Sequence, residues 1–236
     1  MIESVLEVVD CHTYYGQSYV LQGISMAVPS ASVVALLGRN GVGKTTLVRS
    51  IMGLTPPRSG LIRFEGREIS GLRPEQISRL GVGFVPQGRR IFPSLRVREN
   101  LMVAAKVPSA GGWTEDAIYE LFPILRERSR SWGDELSGGE QQMLAIGRAL
   151  IGNPRMILMD EPLEGLSPAT GEQVLEVIRR LKREGTPVLL VEQRVDAALS
   201  VADRLYVMNQ GKIVHEGVPA DFRDRSALWM QHIGVS

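Results

Sequence analysis

The chain is predicted to fold as an α/β protein with an antiparallel β edge and an inserted helical block, and three observations carry that expectation. Short apolar runs at 33–37, 156–159 and 188–191 have the length and composition of strands buried on both faces of a parallel sheet. The first runs directly into the glycine-rich stretch Gly38-Arg39-Asn40-Gly41-Val42-Gly43-Lys44-Thr45 and then into a helical pattern. Between Pro86 and about Asn153, strand signals give way to helical periodicity before strand and helix alternate again.

Taken in order, the β-like runs 6–11 and 20–28 precede the strand 33–37, and a helix follows over about 44–52. A run at 61–64 and the Glu65-Gly66 turn predict a hairpin; 74–80 then reads as a helix and 82–85 as a strand. The helical block has stretches near 97–106, 115–126 and 139–151, interrupted by Pro108-Ser109-Ala110-Gly111-Gly112. Strand 156–160, helix 169–184, strand 188–191, helix 195–202 and strand 205–208 then alternate as parallel strands with crossover helices require. We expect one domain over 1–236, with an α/β core at 1–86 and 154–236 and a helical subdomain at 87–153.

Composition narrows the function. The 236 residues are 44% hydrophobic, enough for a substantial core, and the 22% that are charged nearly cancel to +1. No global field draws the chain towards nucleic acid or anionic lipid. Its one cysteine, Cys11, rules out an internal disulfide and a cysteine-rich zinc site and suits a reducing compartment. The N-terminus carries Glu3 and Glu7 and no long apolar stretch, so it does not read as a secretion signal. No apolar run approaches the roughly 20 residues that span a bilayer. His12, His215 and His232 have no metal-site spacing, and Trp113, Trp132 and Trp229 read as core or interface anchors.

The glycine-rich stretch has the strand–loop–helix context of a phosphate-binding loop. Gly38, Gly41 and Gly43 let backbone N–H groups turn towards phosphate oxygens, the helix N-terminus adds positive potential, and Lys44 brings a cation to the terminal phosphates. Thr45 offers a hydroxyl to Mg²⁺, with Thr46 following in the same turn. Asp160 and Glu161 end a buried strand, where ligands gather on parallel sheets. Beside the loop, Asp160 suits the outer partner of hydrated Mg²⁺ and Glu161 the group that polarises attacking water. Ser137, Gly138 and Gly139 precede a helix; on physical grounds alone they form an ordinary cap that could also face an anion.

Together, Leu136-Ser137-Gly138-Gly139-Glu140-Gln141, the phosphate loop upstream and the Asp160-Glu161 strand downstream resemble the ABC ATPases over essentially the whole chain. The resemblance implies a P-loop NTPase core, with ATP and Mg²⁺ as ligands. It also implies a head-to-tail dimer with a second ATPase subunit, a copy or a homologue, in which Ser137, Gly138 and Gly139 close over ATP held by the other subunit's phosphate loop. By the same resemblance, Gln87 senses magnesium and attacking water, although alone it reads as a surface glutamine. Tyr15 matches the aromatic that stacks on adenine, with Tyr14 or a structural role as alternatives; base stacking of that kind is worth ~1–3 kcal/mol.

The sequence also departs from the family pattern. Gln193 stands where most members place a histidine, and an amide cannot exchange a proton near neutral pH. Glu161 is therefore expected to act as the base and Gln193 to position phosphate. Ser167 replaces a common aspartate. With the stretch from Pro86 to Pro93 and the compact C-terminus, these departures resemble ATPases of bacterial branched-chain amino-acid importers, and nearly as closely those serving urea and short amides. The direction of transport would be set by the membrane partner, so an exporter stays open. Implied partners are transmembrane permease subunits, docked on the helical block, and an extracytoplasmic solute-binding protein; the implied location is the cytoplasmic face of the inner membrane, peripherally attached. ABC ATPases of DNA repair insert a long coiled coil between the phosphate loop and LSGGE. Here Lys44 and Ser137 lie 93 positions apart (137 − 44), with Pro and Gly between.

Overall fold

Two sheets and the helices around them make up the computed structural model, which describes residues 4–106 and 112–224. In chain order the elements are β1 Ser4–Tyr15, β2 Ser18–Pro29, β3 Val33–Leu37, α1 Lys44–Ile51, β4 Ser59–Phe64, β5 Arg67–Glu68, α2 Pro74–Leu80 and β6 Val82–Val85. There follow α3 Val97–Met102, α4 Glu115–Leu121, α5 Pro123–Glu127, a 3₁₀ turn at Gly133–Glu135 and α6 Gly138–Leu150. The chain continues through β7 Met156–Asp160, α7 Pro168–Arg183, β8 Val188–Glu192, α8 Val195–Val201, β9 Arg204–Asn209, β10 Lys212–Gly217 and α9 Pro219–Asp224.

The larger sheet has the order β10-β9-β3-β8-β7-β6, parallel from β9 to β6 with β10 antiparallel at its edge. Every residue of β3, β7 and β8 is buried, because layers cover both faces and no polar alternation is tolerated there. Period-two geometry sorts the side chains: Val33, Ala35 and Leu37 join the core shared with α3 to α8, whereas Val34 and Leu36 join the core under α1, α2 and the antiparallel sheet. That second sheet, β2-β1-β4-β5, is wholly antiparallel. The α/β core, antiparallel sheet and inserted helices expected from the sequence are all present.

Differences are local. The expected helix 115–126 is two helices, because Pro123 lacks an N–H and constrains Phe122 before it, whose φ/ψ of −131°/79° is non-helical. The expected helix 97–106 ends at Met102. β10 and α9 were not anticipated: β10 is a half-exposed edge strand with alternating exposure, carrying no apolar run. Residues 108–111 of the expected spacer, and Trp229, His232 and the C-terminal end, lie outside the described residues.

What positions the site is strand register. β3 and β8 pair with Leu37 beside Glu192, and β7 and β8 pair with Asp160 beside Val191. The carboxyl ends of three central strands thus finish level, and the loops leaving them share one edge.

Candidate active site

Gly43 caps α1 in a left-handed conformation (φ 115°) and Gly41 also has positive φ (79°), a backbone path that glycine adopts without steric cost. Gly38 has a different constraint: a Cβ there would lie 2.6 Å from the Met208 carbonyl oxygen. The loop bends around Lys44, only 4% exposed, whose Nζ donates to the Gly38 and Arg39 carbonyls at 2.8 and 3.0 Å.

Lys44 Nζ also sits 3.2 Å from Glu161 Oε1, an ion pair with both side chains buried. The other oxygen, Glu161 Oε2, accepts from Gln193 Nε2 at 2.6 Å and from Gln87 Nε2 at 3.2 Å. Gln87 donates as well to Glu164 Oε2 at 3.0 Å. Residues from three separate segments therefore meet on one carboxylate. Its backbone is left-handed (φ 50°), a conformation that costs a non-glycine residue ~1–3 kcal/mol and persists where the surroundings enforce it. The Glu161 N–H is held by the Val191 carbonyl at 2.9 Å.

Asp160 is 1% exposed, and burial pushes its carboxyl up to about 6, opposed by the hydrogen bond that Thr45 Oγ1 donates at 3.4 Å. A threonine hydroxyl and a carboxylate side by side, with the Gln87 amide nearby, are a hard-oxygen donor set that fits Mg²⁺. The adjoining cleft, about 240 Å³, is lined by Tyr15, Val20, Asn40, Gly41, Gly43, Lys44, Thr45, Thr46, Gln87 and Glu161. That volume is below the ~300–1,000 Å³ of pockets that enclose a small molecule.

Tyr15, not Tyr14, lines the cleft. Tyr14 stacks on Tyr19 with ring centroids 4.4 Å apart, and the Arg58 guanidinium covers it at 4.0 Å. Ser137, Gly138 and Gly139 are not among the cleft's lining residues. Ser137 caps α6 reciprocally with Glu140, and Ser137 and Gly139 line a separate groove against α7. Two further residues went unassigned in the sequence reading: Glu164, which holds Gln87, and Glu192, 2% exposed, which accepts from the Leu163 N–H at 3.1 Å and the Gln193 N–H at 3.2 Å. The one available signal for Glu192 was an ionisable residue closing an apolar strand. Elsewhere, buried Cys11 contacts Thr13, and His12 bonds Asp10 and Tyr19.

A phosphate loop, a carboxylate pair at a strand end and a capped glycine pair on an inserted helix define an ATP-hydrolysing P-loop protein. The family model described as ABC transporter matches residues 21–164. The chain is 45% identical to the high-affinity branched-chain amino acid transport ATP-binding protein BraG of Pseudomonas aeruginosa, over 86% of this chain and 88% of that one. It is 35% identical to the lipopolysaccharide export system ATP-binding protein LptB of Haemophilus influenzae, over 98% of each. It superposes on the crystal structure of a nucleotide-free ATP-binding cassette from an ABC transporter with a TM-score of 0.84, at 28% identity and 99% coverage of both chains. The chain belongs to the ABC transporter family, as an ATP-binding and ATP-hydrolysing subunit.

Proposed function

We propose that this subunit powers import of branched-chain amino acids, with Glu161 as the base for ATP hydrolysis. The observation that carries the chemistry is the convergence of Lys44, Gln87 and Gln193 on the Glu161 carboxylate. Gln193 cannot take up a proton at neutral pH, so proton removal from the attacking water falls to Glu161 as the water oxygen bonds the γ-phosphorus and ADP leaves. Backbone amides of Arg39 to Thr46, with Val42 closing the loop from within, and the Lys44 cation would hold the phosphates. Tyr15 would stack on adenine. Thr45, Asp160 and Gln87 would hold Mg²⁺, which supplies charge neutralisation at the phosphate oxygens. Gln193 would orient the γ-phosphate.

The open cleft and the separate placement of Ser137, Gly138 and Gly139 support a head-to-tail dimer in which a second ATPase subunit completes each site. The helical block between 87 and 153 would face the permease; exposed Phe92, Val103 and Trp132 on it give apolar area for such a partner. Among the described residues no helix is long and apolar enough to cross a membrane. That fits a peripheral subunit at the cytoplasmic face, with solute delivered outside by a binding protein.

Likeness to BraG favours import of branched-chain amino acids, and likeness to LptB supports export as the second reading. Uptake of radiolabelled leucine and urea, in cells lacking this chain and complemented with wild type or Lys44→Ala, separates the readings. Leucine uptake restored by wild type alone is the expected result. Rescue of urea alone would reassign the solute, and rescue of neither, with ATPase activity intact, would point to another solute or to export.

A further inference from the structure

We infer that Glu192 is a positioning residue for ATP hydrolysis: its buried carboxylate pins the turn that carries Glu161 and aims that side chain at Gln193. The inference rests on the reading of Glu161 as the base.

Glu161 leaves β7 in a left-handed conformation, which without enforcement would relax and carry the carboxylate away. Enforcement comes from β8 at two points. The Val191 carbonyl accepts the Glu161 N–H at 2.9 Å, and two residues further along the turn Glu192 Oε1 accepts the Leu163 N–H at 3.1 Å. The turn is thus stapled to β8 on both sides of Pro162, which has no N–H to offer. Glu192 Oε2 meanwhile accepts the N–H of Gln193 at 3.2 Å, fixing the start of the loop whose side chain meets Glu161 Oε2 at 2.6 Å. One carboxylate therefore sets the spacing between base and glutamine from behind.

The chemistry of the group supports a purpose beyond filling space. Leu163 and Val191 beside it are buried apolar residues, and an apolar side chain in place of Glu192 would avoid the cost of burying a carboxylate. No side-chain cation pairs with it in any ion pair among the described residues; its partners are backbone N–H groups of Leu163, Gln193 and Arg194, and Glu161 is the charge facing it. A carboxylate can accept at both oxygens. Glu192→Gln keeps the size but turns one of the two accepting oxygens into an NH₂ donor, where three backbone N–H groups need acceptors.

The test uses the purified full chain in four forms: wild type, Glu192→Gln, Glu161→Gln and the double variant. In Glu192→Gln, kcat is expected to fall about ten- to a hundredfold, as for a base displaced by a fraction of an ångström to one ångström. ATP affinity and KM should stay at wild-type values, while amide exchange over 160–166 accelerates. In the Glu161→Gln background the same change should alter the residual turnover by less than about twofold, because Glu192 acts through Glu161. Wild-type kcat in Glu192→Gln would overturn the inference. So would a loss of turnover accompanied by lost ATP binding, which marks a structural role, or a full second loss in the double variant. Full turnover in Glu161→Gln alone would overturn the base assignment, a result visible without any change at position 192.

Discussion

Glu161 and Glu192 show how far a single residue can be read from its neighbours in sequence. Lys44, Asp160 and Glu161 were legible because each stands in a short motif whose spacing is local. Glu192 and Glu164 were not, because Leu163 and Gln87, which they hold, lie 29 and 77 positions away and meet them only once β7, β8 and the Gln87 loop are assembled. The sequence favoured Tyr15 by resemblance and left Tyr14 as an alternative; the Arg58–Tyr14–Tyr19 stack commits Tyr14 elsewhere. Burial pushes the Glu192 carboxyl up to about 7, against backbone hydrogen bonds that lower it and a nearby Glu161 that raises it further. A carboxyl raised on folding stabilises the fold fully below its unfolded value, near 4.5, and that contribution is lost as pH rises through about 7. The melting temperature of wild type relative to Glu192→Gln should therefore drop by several degrees between pH 5 and pH 8, measured by calorimetry; a difference independent of pH would contradict the burial argument.

At the scale of elements, strands buried on both faces were the most legible because their composition allows little else: β3, β7 and β8 fall where the apolar runs lie. Helix α2 was legible from Pro74 at its start and Gly81, with φ 107°, at its end. Edge elements were not, since β10 buries no residue fully and carries no apolar run. The phosphate loop depends on close approach to β9, with no room at Gly38 for a Cβ beside the Met208 carbonyl. Gly38→Ala should push the loop off that strand, at a cost of about 1–3 kcal/mol in stability and at least about tenfold in ATP affinity. Thermal unfolding and fluorescent-nucleotide binding check both; unchanged values would show that the loop has slack the geometry does not suggest.

Across the whole molecule, two cores on opposite faces of one sheet hold the strand ends level, and the site is assembled along that edge from β3, β7, β8 and the loop after β6. The inserted helices carry Ser137 and Gly139 to a groove of their own, against α7. The sequence could announce these parts but not their separation, which is a property of the packed layers. The account depends above all on the carboxylate where that edge converges. Steady-state ATP turnover of wild type and Glu161→Gln, at saturating ATP and magnesium and with nucleotide binding measured in parallel, tests it most directly. We predict unchanged binding and a turnover lower by about 10²–10⁴-fold in the variant; equal turnover in the two would contradict the account.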